Sequence, residues 1–512
     1  MVKFIAYDLG TGGVKASLYD ENLQTLAKSF IEYETFYPSS THHEQRPEDW
    51  WNGVVESTRI LLKESAVNPS DVKCLALSGH SLVTVPIGKD GNLLVDRVPI
   101  WSDTRPTEEV KEFFNRIDEE EWYMTTGNGF PPPCYSIFKL MWLKKHKPEI
   151  YNNIYKVLGS KDYINYKMTG KFATDYSYAS GCGAYNLQTR ELEIRFLNAA
   201  GLSPDIFPEI VPSHHIVGEL TKEAAEILGL EEGTKVACGG VDNACMALGE
   251  VGPEDGKVYT SLGSSSWIAV NSSTPILDFK KKPYVFAHIE EGKYTSAFSI
   301  FSGGNSFRWV RDTLCPDLKT YENPYDKMTE LAKTSPIGSN GIIFNPSLAG
   351  GTSQDKSINI RGAYIGLHLG VTRADLIRAA MEGIALNLRI SLDNLKEHTQ
   401  LTDELLFCGG GSKNEFWMQM FADIFQMKII KTNIDQDAAS VGAAAVAARA
   451  YGLWKDYMPI YQLHHVEHES IPNKDNIEEY EKLLTIFKHI SDVLADVGDF
   501  MMKERERELV SV

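Results

Sequence analysis

The chain has 512 residues, of which 43% are hydrophobic and 23% charged, and its formal net charge is −18. That length holds two large domains or three small ones around a sizeable core, and so acidic a balance argues against a nucleic-acid binder, which carries a basic patch. No segment reads as membrane-spanning, the N-terminus enters a strand with no signal-peptide pattern, and seven cysteines without a CxxC pair point to reduced thiols in the cytoplasm.

The first element is the most informative. Residues 5–8 read as a buried strand, Gly10, Gly12 and Gly13 as a turn, and Val14, Ala16 and Leu18 alternate as a second strand. Such a turn brings backbone N–H groups close to an anion, because no Cβ blocks the approach. Asp8 stands at its lip, where it can hold a hydrated Mg²⁺, and Lys15 follows; the Walker A spacing is absent. A helix is expected over 47–64, then strands over 74–77 and 83–87, the second ending in the turn 89–92. His80 and Ser81 leave the first of these strands, where His80 serves either a polyol or the core. Trp101 beside Asp103 pairs a flat apolar face with a carboxylate, which suits sugar recognition. An internal ion pair of Asp103 with Arg105 is the alternative. Three prolines at 131–133 break the chain before a helix over 136–145, and another helix lies within 151–174.

A strand over 234–238 runs into Gly239-Gly240-Val241-Asp242-Asn243 and then a helix start of small residues. Asp242 is therefore either an N-cap or a carboxylate that faces a cleft and accepts a hydroxyl proton. Residues 257–270 repeat the strand–turn–strand pattern around Gly263 and Ser264, which suggests two related α/β halves. A strand over 341–344 and a small-residue loop at 349–353 precede a long helix over 373–397. The buried strand 405–408 enters Gly409-Gly410-Gly411-Ser412, either a tight strand-to-helix turn or a place where a base or phosphate comes close. A helix over 415–425, a strand over 428–431, a tightly packed Ala/Val-rich helix over 438–451 and an amphipathic helix over 477–494 follow, and the charged tail 502–512 is expected to fray.

On these residues the chain resembles the FGGY carbohydrate kinases, of the actin, sugar-kinase and heat-shock-ATPase superfamily, from residue 3 to about residue 455. Asp8-Leu9-Gly10-Thr11 with Lys15 resembles the first phosphate motif. Leu262-Gly263-Ser264-Ser265 resembles the second, with Ser264 where threonine is usual. Gly240-Val241-Asp242 resembles the segment bearing the catalytic base, and 406–412 with Asn414 and Trp417 the adenosine motif. Gly362-Ala363-Tyr364-Ile365-Gly366-Leu367, then Asp375-Leu376 and Ala379-Ala380-Met381-Glu382, fits the family's second signature. Residues 136–146 fit the first except at its start. There Cys134 takes the place of a substrate-contacting tyrosine of glycerol kinases, which counts against glycerol. The segment 100–105 looks most like the xylulokinase-like branch. Where xylulokinases carry Gln-Met-His-Gly, however, this chain reads His80-Ser81-Leu82-Val83, so an ungapped alignment puts Leu82 in place of the usual sugar-contacting histidine.

The resemblance implies an α/β fold of two actin-like (ribonuclease H-like) domains, 1–245 for sugar and 246–512 for ATP, with the active site in the cleft between them. It implies ATP-dependent phosphorylation of a small ketose or polyol at a primary hydroxyl, with a pentulose such as xylulose expected first. Ribulose, fuculose, gluconate and erythritol are alternatives, and an actin-like ATPase acting on a protein partner is the reading from another class. Asp242 would be the base and also touch substrate. Gly10, Thr11, Gly12, Lys15, Gly263, Ser264, Gly410, Gly411 and Asn414 would bind ATP, His80, Ser81, Trp101 and Asp103 the sugar, and Asp8 the Mg²⁺ through water. The expected partners are the small sugar and a second copy of the chain, with no nucleic acid or membrane.

Overall fold

Strand β1 (Lys3–Leu9) turns back into β2 (Gly13–Tyr19), and nearly every residue of both is buried, so this hairpin is covered on both faces. Its neighbour β3 (Thr25–Glu32) is largely exposed along its length and closes the sheet edge. In the computed structural model, which describes residues 2–510 and side chains through 504, this sheet continues through β4 (Val72–Gly79), β5 (Ile216–Glu219), β6 (Lys235–Ala237) and β7 (Gly240–Val241). Its order is β5-β6-β4-β1-β2-β3, with β7 paired to β4. A second sheet takes β8 (Val258–Leu262), β9 (Ser266–Ser272), β10 (Tyr284–Ala287), β11 (Tyr294–Ile300), β12 (Glu404–Cys408), β13 (Lys428–Thr432) and β14 (Val466–Ser470) in the order β10-β11-β9-β8-β12-β13-β14.

The two sheets share a plan. Each opens with an antiparallel hairpin, β1/β2 or β8/β9, and each lays a later strand, β4 or β12, parallel to the first strand of that hairpin. The hairpins close alike: Gly10 N–H donates to the Gly13 carbonyl at 3.0 Å, and Gly263 N–H to the Ser265 carbonyl at 3.0 Å. The recurrence legible in the glycine turns is thus a recurrence of topology.

Between the sheets lie two helices made of small residues, α1 (Asp242–Val251) and α2 (Ala438–Tyr451). One apolar cluster joins Phe4, Ala6 and Ala76 of the first sheet, Tyr259, Ala269 and Leu406 of the second, and Ala244, Leu248, Ala444 and Ala447 of the helices. The helices touch backbone to backbone. A Cβ on Gly249 would fall 2.0 Å from the Ala438 carbonyl oxygen, and one on Gly442 would fall 2.0 Å from that of Cys245. The Ala-rich composition of 438–451 is therefore a packing requirement, since any larger face would hold the helices apart.

Two expectations are corrected. Leu82 adopts φ 61°, in the left-handed region, and the strand expected from residue 83 begins only at Val85. The helix expected over 477–494 is longer: α3 (Lys474–Val510) continues to residue 510, and residues 511 and 512 lie outside those described. This helix is anchored near its end, where Asp499 accepts from Ser357 Oγ at 2.6 Å and from Asn359 Nδ2 at 2.7 Å.

Gly249→Ala and Gly442→Ala are each expected to lower unfolding free energy by about 1–3 kcal/mol through overpacking. Gly12→Ala, where a Cβ meets nothing within 4 Å, serves as a near-neutral control. Urea unfolding midpoints check this, and unchanged midpoints for both helix variants would contradict it.

Candidate active site

Topology brings the two carboxylates together. Strand β4 pairs in parallel with β1 on one side and β7 on the other, so Asp8, Ser78 and Gly240 share one register. The carboxyl ends of parallel strands are where α/β sheets place ligands. Ser78 Oγ donates to Asp8 Oδ1 at 3.0 Å. Asp242 is the first residue of α1, Val241 holds the cap position, and no side chain caps the helix. Asp242 is therefore not the N-cap. Its Oδ1 accepts the Asn243 N–H at 2.8 Å.

Burial pushes the Asp242 carboxyl up to about 7, and the charge of Asp8 adds to the shift. Burial also raises Asp8, against the hydrogen bond from Ser78 and the charge of Lys15. A carboxylate that titrates near neutrality, beside a second one, has the character of a general base.

The glycines around this pair divide by what they need. Gly13 is demanded by packing, since a Cβ there would lie 2.5 Å from the Ile31 carbonyl. Gly10, Gly12 and Gly263 are not: a Cβ would meet only ordinary contacts or open space. Nothing inside the protein requires glycine there, and the backbone at these positions is open to close approach by an anion. Thr11 is held by Gln45, whose Nε2 donates to its carbonyl at 2.7 Å, and by Trp101, whose Nε1 donates to its Oγ1 at 2.9 Å.

In the second half, the ends of β8 and β12 lie side by side and open a cavity of about 380 Å³. Gly263, Ser264, Gly410, Gly411 and Asn414 all line it. Asn414 also caps the helix Glu415–Phe425, accepting from Trp417 N–H at 3.1 Å, and donates to Thr329 Oγ1 at 2.6 Å. The aromatic wall is formed by Phe307, Tyr325 and Trp417, with Phe307 stacked on Tyr325 at 5.7 Å. Phe307, Arg308 and Tyr325 carry no local motif and are invisible in the sequence.

The segment 435–437 ties the halves together. Asp435 Oδ1 accepts the Gly409 N–H at 2.8 Å, Lys15 Nζ reaches the Gln436 carbonyl at 3.5 Å, and Lys28 pairs with Asp437. Lys15 thus spans from the first hairpin to the chain leading into α2. Its only trace in the sequence is a polar break between a strand and an Ala-rich helix.

On the far side of Asp8, His80 follows β4 and is 1% exposed. Its Nδ1 lies 3.0 Å from the Leu9 carbonyl and must donate, which leaves the lone pair on Nε2. Burial lowers the ring to about 4, so it is neutral, and the buried Nε2 has no partner. Ser81 comes next, partly exposed. The buried Lys139 donates to the carbonyls of Leu82 at 2.8 Å and Ile100 at 2.6 Å, stapling the His80 loop to the Trp101 loop. Asp103 does not offer its carboxylate to a ligand as the sequence reading expects. It is 0% exposed and accepts from Arg105 Nη2 at 2.6 Å and from the His43 N–H at 2.8 Å. The competing ion pair forms, and Asp103 shapes the loop that presents Trp101.

Paired hairpins with accessible backbone, a carboxylate near neutrality and an aromatic cavity in the second half define a phosphotransferase acting on a small molecule. Residues 3–249 match the N-terminal domain, and residues 258–451 the C-terminal domain, of the FGGY family of carbohydrate kinases, and the chain belongs to that family. It is 31% identical over 506 residues to xylulose kinase of Bacillus subtilis (strain 168), covering 98% of this chain and 99% of the relative. Its fold matches a ligand-bound xylulose kinase from Lactobacillus acidophilus at TM-score 0.89 and 27% identity, over 97% of this chain and 99% of the other. It matches gluconate kinase from the same organism at TM-score 0.89 and 27% identity, over 96% and 98%.

The raised Asp242 carries a stability consequence. An unfolded aspartate titrates near about 3.9, whereas the folded one titrates at about 7. Across that window the folded protein keeps a proton that the unfolded chain has lost, so Asp242 destabilises increasingly as pH rises and fully above it. Asp242→Asn is expected to raise Tm relative to wild type at pH 8 and to lose that advantage at pH 4. Calorimetry checks the sign, and a constant difference would contradict it.

Proposed function

We propose that this carbohydrate kinase transfers the γ-phosphoryl group of ATP to a primary hydroxyl of a small ketose, xylulose first among them. The observation that carries the reading is Asp242, raised to about 7 beside Asp8 at the ends of parallel strands. Full-length likeness to xylulose kinases supports the substrate class. Asp242 takes the hydroxyl proton as the oxygen attacks phosphorus. Backbone N–H groups at 10–13 and 263–265 stabilise charge on the transferred group. The adenosine would lie in the cavity with Gly410, Gly411 and Asn414, and Lys15 and Thr11, on the first hairpin, would meet the phosphates. His80 Nε2, an acceptor without a donor, takes a sugar hydroxyl beside Ser81, and Trp101 offers its ring. Closure of the two halves, roughly 1–245 and 246–512, excludes water that would otherwise accept the phosphoryl group.

Asp8 would hold Mg²⁺, an ion that keeps most of its water and takes one or two carboxylates. When bound, Mg²⁺ neutralises charge on the β- and γ-phosphates. Seven buried free thiols support a reducing cytoplasmic setting.

A gluconate kinase is the second reading, favoured by an equal structural match, while Leu82 in place of the usual histidine counts against xylulose. A coupled assay over xylulose, ribulose, fuculose, gluconate, erythritol and glycerol is expected to give the highest kcat/KM on xylulose. A preference for gluconate would overturn the substrate and leave the kinase standing. Asp242→Asn is expected to lose about 10²–10⁴-fold in kcat while still binding ATP. Near-normal turnover would remove the base.

The homodimer is proposed on α3. Ile486, Val493, Val497 and Phe500 are exposed (Phe500 at 64%) and fall on one helix face. Antiparallel pairing with a second copy about Val493 sets Ile486 opposite Phe500, so the apolar face complements itself. Wild type is expected to sediment as a dimer and Phe500→Asp as a monomer. A monomeric wild type would contradict this.

A further inference from the structure

Behind the base lies a buried ionic cluster that the reaction does not touch. Lys161 is 0% exposed, and its Nζ lies 2.5 Å from Asp162 Oδ1 and 3.0 Å from Asp175 Oδ1. Burying an ammonium with two carboxylates is costly and persists only where each is closely paired and hydrogen-bonded. The remaining bonds show where the cluster acts. Lys161 Nζ also donates to the Cys238 carbonyl at 3.2 Å, and Asn165 Nδ2 donates to the same carbonyl at 2.8 Å. Asp175 Oδ2 accepts from Ser213 Oγ at 2.8 Å and from the Ser177 N–H at 3.0 Å, and Ser177 Oγ donates to it as well. Ser177 Oγ in turn accepts the Val241 N–H at 2.9 Å.

The residue after Val241 is Asp242. Both ends of the segment leading into the base are thus tied to one cluster, Cys238 through its carbonyl and Val241 through its amide. Between them there is no slack. A Cβ on Gly239 would fall 2.1 Å from the Leu77 carbonyl, and one on Gly240 would fall 2.2 Å from Ile289 Cδ1. Charge also sets the direction of the chain of bonds. A carboxylate can only accept, so the Ser177 proton points at Asp175, and the hydroxyl lone pair is left for Val241. Polarisation by the carboxylate strengthens that second bond.

We propose that Ser177 is a positioning residue for Asp242: backed by Asp175 and Lys161, it holds the Val241 amide and so fixes where the base carboxylate stands. This rests on the reading of Asp242 as the base. Ser177→Ala removes the acceptor and leaves the amide unpaired. It is expected to lower kcat about 10–100-fold, as a misplaced catalytic group does, with KM for ATP changed less than about twofold. The deciding readout is the double variant. A residue that acts through Asp242 has nothing left to act on in Asp242→Asn, so adding Ser177→Ala there should reduce kcat by no more than about twofold. Ser177→Thr keeps the hydroxyl and should recover most of the activity, with circular dichroism showing a native fold throughout. Wild-type kcat in Ser177→Ala overturns the proposal, as does a loss that multiplies in full in the Asp242→Asn background. Wild-type kcat in Asp242→Asn alone overturns the base assignment instead, and is separable because Ser177 is intact in that variant.

Discussion

The cleft depends on how closely two helices approach. Gly249 lies against the Ala438 carbonyl and Gly442 against that of Cys245, so α1 and α2 meet at backbone distance between the two sheets. Asp242 begins one helix, and the segment 435–437, which holds Gly409 and reaches Lys15, leads into the other. The spacing of this pair therefore sets how closely the two sheets stand on either side of it. A run of alanine and glycine that looks compositionally plain is in this way the most constrained part of the chain.

Two buried carboxylate arrangements lie close together and are treated oppositely. Asp175 is paired with an ammonium and saturated with donors, as a charge meant only to hold its neighbours should be. Asp242 accepts only backbone N–H groups, and burial and a second carboxylate nearby leave it raised. The first arrangement holds the loop on which the second stands. A raised carboxyl held in place by a saturated cluster behind it is the arrangement expected where a site needs a pKa far from its solution value.

What was legible in the sequence was local. Period-two alternation and glycine spacing marked both hairpins, because strand faces and tight turns are decided within a few residues. The Ala-rich helix and the strand ends carrying Asp8, Asp242 and Gly410 followed for the same reason. What was not legible depends on partners far along the chain. Whether Asp103 faces a ligand or Arg105 and His43 is decided by how the loop folds back. Ser177 meets Val241 across 64 positions, and no spacing rule reaches that far. Phe307 and Tyr325 become a cavity wall only after two helices are packed. That the last helix packs on the fold beyond residue 494 rests on Asp499, held by Ser357 and Asn359 from 142 and 140 positions away.

The central claim is that the two halves meet to move a phosphoryl group from nucleotide to sugar, not merely to hydrolyse the nucleotide in a cleft. Single-turnover phosphorus NMR with ATP, Mg²⁺ and xylulose tests it most directly. ADP and a sugar monophosphate are expected in equal amounts, with the phosphate ester on a primary carbon and negligible ADP when the sugar is omitted. ADP and inorganic phosphate forming at the same rate with or without sugar would contradict it.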